Sequence, residues 1–300
     1  MGARGELRLD VSSYVDLPGP LQTAATVYLP DAVGRQPLIL FLFPGGGYSR
    51  GYYAIDRPEL PGPGQADFHR EQGAIVVACD HLGVGDSSLP DPDALTFARL
   101  AAANHGTVQA VLAMLAGGQV DPALPAVVDP FVVGVGQSMG GCLGVVQQAQ
   151  HSTFRALAVL GYSGTHMNMR QPPPGQDMLR YLFHWDEEPD SLVDADLGGL
   201  AQPWRSTTMP SCVPSMAGSG LIVNEAATVG VPLFLAAGER DVIDDLYTEP
   251  AAFGSSPDIT LYLLRRSAHM HNFAPTRMLL WERLHHWADS LRTMATSPES

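Results

Sequence analysis

Phe131-Val-Val-Gly-Val-Gly-Gln-Ser-Met-Gly-Gly-Cys-Leu-Gly144 decides how the rest of the chain is read. Its first five residues are continuously apolar, as a strand covered on both faces requires. The Gly136-Gln-Ser-Met-Gly140 that follows has the form Gly-x-Ser-x-Gly, and Met139–Gln150 beyond it reads as a helix. A strand-to-helix turn this tight strains the serine backbone, and glycine is needed on both sides because side chains there would meet the neighbouring strand and helix. Such a turn exposes the Ser138 hydroxyl at a helix N-terminus, where free N–H groups and the helix dipole favour a developing oxyanion. A rival reading takes Gly134-x-Gly136-x-x-x-Gly140 as a dinucleotide-binding loop. It is weakened because the loop follows a middle strand, no acidic residue closes a second strand about 20 positions on, and the chain has no Lys.

Working outward, seven further stretches read as strands: Glu6–Val11, Leu21–Leu29, Leu38–Phe43, Ala74–Cys79, Ala156–Leu160, Val231–Ala236 and Ile259–Leu264. The first two partly alternate, as half-buried antiparallel strands do; the others are continuous apolar runs. Helical patterns occupy Ala94–Leu115, with an irregularity expected at His105-Gly106, and Pro275–Met294, whose face carries Leu280, Leu284, Trp287 and Leu291. Strands alternating with helices predict an α/β fold: a mostly parallel sheet with helices on both faces. Residues 165–227 break the rhythm. They hold Pro172-Pro173-Pro174, a helical-looking Asp177–Trp185, several aromatics and five of the eleven methionines. Long insertions of this kind act as lids or binding elements. The expected organisation is therefore a core of residues 1–164 and 228–300 with a cap at 165–227.

A serine needs a base and an orienting acid. In an architecture of this type they follow in the order Ser, acid, His, each just past a strand end. Asp241 ends Leu233-Phe-Leu-Ala-Ala-Gly-Glu-Arg-Asp241, and His269 follows it by 28 residues at the end of Leu261-Tyr-Leu-Leu-Arg-Arg-Ser-Ala-His269. Glu239, Asp244 and Asp245 are alternative acids, and His271 is an alternative base. His285 and His286, in the last helix, are expected at the surface or rim. Pro44-Gly-Gly-Gly47 supplies bare backbone for an oxyanion hole. The donors expected there are the N–H groups of Met139 and Gly46, with Gly47 as second choice.

These features together resemble the α/β-hydrolase family. Pro44-Gly-Gly-Gly47 is similar to its His-Gly-Gly-Gly-type oxyanion loop, with Pro in place of His, and Asp80-His-Leu-Gly-Val-Gly-Asp-Ser87 is similar to its Asp-x-x-Gly-x-Gly-x-Ser segment. Gly136–Gly140 looks like the nucleophile elbow. The resemblance covers roughly residues 20–165 and 228–292. It implies an eight-stranded, mostly parallel sheet, a cap inserted after the sixth strand, and no cofactor. Serine at the elbow sets the chain apart from relatives with Asp there, the haloalkane dehalogenases and epoxide hydrolases.

Composition bounds the chemistry. The formal charge is −14, from 31 acidic residues against 17 basic ones, all of them Arg. An acidic surface disfavours nucleic acid and anionic membranes as partners, and without Lys there is no Schiff-base or P-loop chemistry. Cys79, Cys142 and Cys212 are too few and too scattered for a disulfide framework or a zinc site, and no His pair has metal-ligand spacing with a third partner. The opening residues carry no apolar targeting segment, so a cytoplasmic protein is expected. The expected activity is hydrolysis of a neutral, hydrophobic ester or lactone, with Tyr48, Tyr162, Trp185 and Trp204 lining the substrate site. An acyltransferase or carbon–carbon bond hydrolase would use the same three residues, and a non-catalytic binding module is the remote alternative. Homo-oligomerisation is left open.

Overall fold

The computed structural model describes residues 3–121, 126–199, 201–218 and 220–296; Met1, Gly2 and 297–300, at the ends of the expected core, lie outside them. Eight strands form one sheet: β1 (Arg4–Asp10), β2 (Gln22–Tyr28), β3 (Leu38–Phe43), β4 (Ile75–Cys79), β5 (Phe131–Gln137), β6 (Ala156–Leu160), β7 (Leu233–Gly238) and β8 (Ile259–Leu264). Their spatial order is β1-β2-β4-β3-β5-β6-β7-β8. β1 and β2 run antiparallel, β2 runs antiparallel to β4, and every pairing from β4 to β8 is parallel. All eight strands fall where the sequence pattern puts them.

The continuous apolar runs of β3 to β7 are explained by strands buried on both faces, while β8, at the sheet edge, is half-buried for most of its length. In β3, Ile39, Phe41 and Phe43 join one hydrophobic core while Leu38, Leu40 and Leu42 join the other, the period-two alternation of a strand. The first core is closed by α2 (Phe97–Ala116) and α3 (Met139–His151), the second by α1 (Gln65–Glu71) and α7 (Arg277–Thr296). On α7, Leu280, Leu284 and Leu291 are buried, and Trp281 joins them.

Three sequence expectations need correction. α2 begins at Phe97, capped by Thr96, and runs unbroken through His105-Gly106. Gly106 is there for packing: a Cβ on it would lie 2.6 Å from the Tyr14 ring. α7 begins at Arg277, so Pro275 precedes the helix. His285 is buried, stacked on His69 with ring centroids 5.5 Å apart, because α7 presses this residue against α1.

Between β6 and β7 lie α4 (Met178–Phe183), α5 (Asp190–Leu197), a short 3-10 turn at Val213–Ala217 and α6 (Val223–Thr228). Asp177 caps α4 by accepting from Arg180 N at 2.8 Å. Ile222 and Ala226, at the end of this segment, pack into the same core as α3. Among the described residues no helix is long and apolar enough to cross a membrane.

Candidate active site

In a parallel sheet the loops beyond the strand C-termini gather on one edge, where α/β folds place their ligands. Here the loops after β3, β5, β7 and β8 bring the expected residues together. Ser138 has φ 52° and ψ −114°, a conformation that L-residues rarely adopt, and its N–H donates to Leu160 O of β6 at 2.8 Å. The flanking glycines show why no other residue fits. A Cβ on Gly136 would sit 2.2 Å from Gly140 O, and one on Gly140 would sit 2.0 Å from Phe43 O.

The Ser138 hydroxyl lies 2.9 Å from His269 Nε2, and His269 Nδ1 lies 2.7 Å from Asp241 Oδ1. Asp241 is buried, and its two oxygens accept four hydrogen bonds. Oδ1 takes Val242 N at 2.7 Å as well as His269; Oδ2 takes Gly238 N at 2.7 Å and His271 Nε2 at 2.8 Å. Burial alone would raise the acid's pKa, but the two histidines and their hydrogen bonds hold it well below the usual carboxylate range. Asp241 therefore stays ionised, as an acid that orients an imidazole must.

The rival acids are turned elsewhere. Glu239 accepts from Arg265 and from Arg266 N, Asp244 binds Asn168 and His166, and Asp245 caps the turn at Tyr247. His271 is held at the far oxygen of Asp241, while His269 alone of the pair reaches Ser138.

Met139 opens α3, so its N–H falls in the first helical turn, where no helical carbonyl can receive it. The glycine loop lies alongside. A Cβ on Gly45 would lie 3.2 Å from Ser138 Cβ, and one on Gly46 would lie 2.8 Å from Val213 Cγ1, 3.7 Å from Met209 Sδ and 4.0 Å from Met139 Sδ. The start of the loop is anchored from the segment after β4: His81 Nε2–H donates to Pro44 O at 2.9 Å. Tyr48 closes the loop through Tyr48 N to Gly45 O at 3.2 Å.

The four aromatic residues expected around the substrate are committed to protein partners. Tyr48 and Trp204 are buried, and both donate to Asp196: the Tyr48 hydroxyl to Oδ2 at 2.6 Å, the Trp204 indole to Oδ1 at 2.8 Å. Tyr162 is buried with its hydroxyl on Met216 O at 3.3 Å. Trp185 is half-buried under the Arg240 guanidinium, 4.9 Å from its ring centre. The insertion side chains that lie next to the glycine loop and the histidine are Met209 and Val213, close to Gly46, and Phe183 beside His269, with ring centroids 5.4 Å apart. The insertion is tied to the histidine loop by His269 N to Leu182 O and Met270 N to Phe183 O, each 3.0 Å. Nothing in the local pattern of Phe183, Met209 or Val213 marks them, because each arrives through a long-range fold of the insertion. His271 was visible as a rival base, but its place on the second oxygen of Asp241 was not.

A helical segment thus meets a glycine loop across a strained serine, with an imidazole and a buried carboxylate in line behind it. Solved structures share this fold. A carboxyl esterase from Bacillus coagulans superposes with a TM-score of 0.68 at 17% identity, covering 97% of this chain and 99% of that one. The fold is that of the α/β-hydrolases. A proline iminopeptidase from Mycobacterium smegmatis with this fold gives 0.67 at 15% identity, over 97% and 100% of the two chains. An esterase from Thermogutta terrifontis gives 0.61 at 14%, over 96% and 99%. No family model matches the chain, and no curated protein matches it in sequence. Among the described residues no group of three or more His, Cys, Asp or Glu is placed to hold a metal ion.

Proposed function

We propose that this chain is a serine hydrolase that cleaves a neutral, hydrophobic carboxylic ester or lactone through an acyl-enzyme on Ser138. The observation that carries the reading is the hydrogen-bonded line Ser138 Oγ–His269 Nε2 at 2.9 Å and His269 Nδ1–Asp241 Oδ1 at 2.7 Å, set on a strained turn. Ser138 Oγ attacks the carbonyl carbon as its proton passes to His269 Nε2. The N–H groups of Met139 and Gly46 hold the oxyanion. His269 then gives the proton to the leaving oxygen, and the ester C–O bond breaks. A water molecule repeats the sequence on the acyl-enzyme, releasing the acid and restoring Ser138.

The substrate class rests on Met209, Val213 and Phe183, apolar side chains of the insertion next to the glycine loop and His269. Residues 165–227 act as the cap in this reading. Two of the similarly folded proteins are esterases by name, which supports the ester assignment. The test is a panel of chromogenic esters, lactones and thioesters, with and without an alcohol acceptor, run on wild type and Ser138→Ala, beside labelling by a fluorophosphonate. Turnover and labelling that vanish in Ser138→Ala support the reading. Labelling equal in both proteins, or none in wild type, overturns it.

A further inference from the structure

The acid of the site serves two histidines, and only one of them is needed for the chemistry above. His271 Nε2 lies 2.8 Å from Asp241 Oδ2, an atom with lone pairs only, so His271 carries its proton on Nε2 and donates. Its other nitrogen, Nδ1, is buried with no hydrogen-bond partner among the described residues. A proton on that nitrogen would be a donor stranded away from water without an acceptor.

The ring is also held rigidly. His271–Phe273 forms a 3-10 turn. Asn272 within it donates from its backbone to the Tyr52 hydroxyl at 3.0 Å and from its amide to Tyr52 O at 3.1 Å, and it accepts from the Trp281 indole at 3.0 Å. Both histidines rest on Gly161, whose φ is +62°. A Cβ there would lie 3.1 Å from His269 Nδ1 and 3.3 Å from His271 Cε1, so the loop after β6 is a floor shaped for two imidazoles.

We propose that His271 is a positioning residue that, by holding one oxygen of Asp241 with a permanent hydrogen bond, sets the proton affinity of His269. This rests on the catalytic reading of Ser138, His269 and Asp241. A carboxylate that shares its charge with a second donor stabilises a neighbouring imidazolium less. The other ionisable groups around this pair are accounted for. From the loop after β7, Arg240 is turned outward to His184 O and Asp186. From the insertion, His184 is enclosed by Glu188 and Asp196. From the loop after β3, the Tyr52 hydroxyl accepts from Asn272 N, and from the turn before α3, the Ser138 hydroxyl lies on His269 Nε2.

The experiment measures the rate at which a fluorophosphonate labels Ser138 from about pH 5 to pH 8 in wild type, His271→Phe and His271→Gln. In that reaction Ser138 Oγ bonds to phosphorus, fluoride leaves, and the serine proton passes to His269, so the acid limb reports His269. His271→Phe is expected to move the limb upward by about 0.5–1 pH unit. His271→Gln, whose amide N–H reaches the position of Nε2, is expected to restore it. A uniform loss of rate in His271→Phe with the limb unmoved overturns the proposal. In parallel, nitrogen NMR of labelled histidines in wild type reads the tautomer directly. A neutral Nε2–H ring at His271 through the titration of His269 supports it; an Nδ1–H tautomer or a charged ring overturns it, even if His271→Phe does not fold. Because the NMR needs no activity, it judges His271 separately. Absence of labelling in wild type counts against the catalytic reading instead.

Discussion

The Tyr48 hydroxyl donates to Asp196 Oδ2 at 2.6 Å, joining the glycine loop beside Ser138 to helix α5 of the insertion. Asp196 also receives the Trp204 indole and His184 Nε2, at 2.8 and 3.1 Å. The backbone proposed to hold the oxyanion is therefore braced from outside the sheet. Tyr48→Phe removes one brace and leaves the ring in place. Since displacing a reacting group by about 1 Å costs up to roughly 10²-fold, kcat is expected to fall about ten- to a hundredfold with KM little changed. Steady-state kinetics on the best ester of the panel checks it, and an unchanged kcat would show that the loop keeps its shape without Asp196.

Gly46 has no room for a side chain, because its Cβ would lie 2.8 Å from Val213 Cγ1. Gly46→Ala should displace the Gly46 N–H from the oxyanion site and lower kcat/KM by about 10²-fold or more, the cost of losing one oxyanion donor. Val213→Ala, added to it, should recover much of the loss. If the double variant is no better than the single one, the clash is not what disables the loop.

His184 Nδ1 lies 2.6 Å from Glu188 Oε2, and both residues are buried. Burial works to lower the His184 pKa, but the hydrogen bonds to Asp196 and Glu188 outweigh it and the pKa is raised. A raised histidine pKa stabilises the fold fully below its unfolded value of about 6.5, and that contribution is lost as pH rises through the folded value. Hydrogen exchange in residues 184–196 should therefore quicken, beyond its intrinsic pH dependence, on going from neutral to alkaline solution. In His184→Gln that extra step should disappear.

His69 and His285 behave in the opposite sense. Both pKa values are lowered, by burial first and, for His69, by the neighbouring His285 charge. The folded chain resists protons that the unfolded chain accepts below about pH 6.5, so stability falls as the solution is acidified through that value. Thermal melts across the acid range should show the drop, and His285→Phe, which keeps a stacked ring, should reduce it. An equal drop in both proteins would place the acid sensitivity elsewhere.

Much of this is legible in the sequence, and for a physical reason. β3, β4, β5, β6 and β7 are buried on both faces, so their apolar runs announce themselves, and Gly136 and Gly140 mark a turn that only glycine can make. What stayed hidden depends on contacts far apart in sequence. The sequence predicts an irregularity at His105-Gly106, yet Gly106 is the seat of Tyr14, 92 residues earlier. His285 looked like a rim residue because nothing in α7 reveals that α1 supplies His69 against it. The insertion is bound by polar groups, Asp196, His184 and Glu188, whose partnership leaves no periodic trace.

The strained serine carries a last implication, about which sequences this fold would drift toward if nothing but stability were selected. With φ at 52°, position 138 suits glycine, and a non-glycine residue there costs on the order of 1–3 kcal/mol. Ser138→Gly should accordingly melt no lower than wild type in a thermal denaturation, while losing the turnover proposed for Ser138. The site would then sit on a slope: the most durable version of the chain is an inert one, and the hydroxyl persists only under continual demand for what it does.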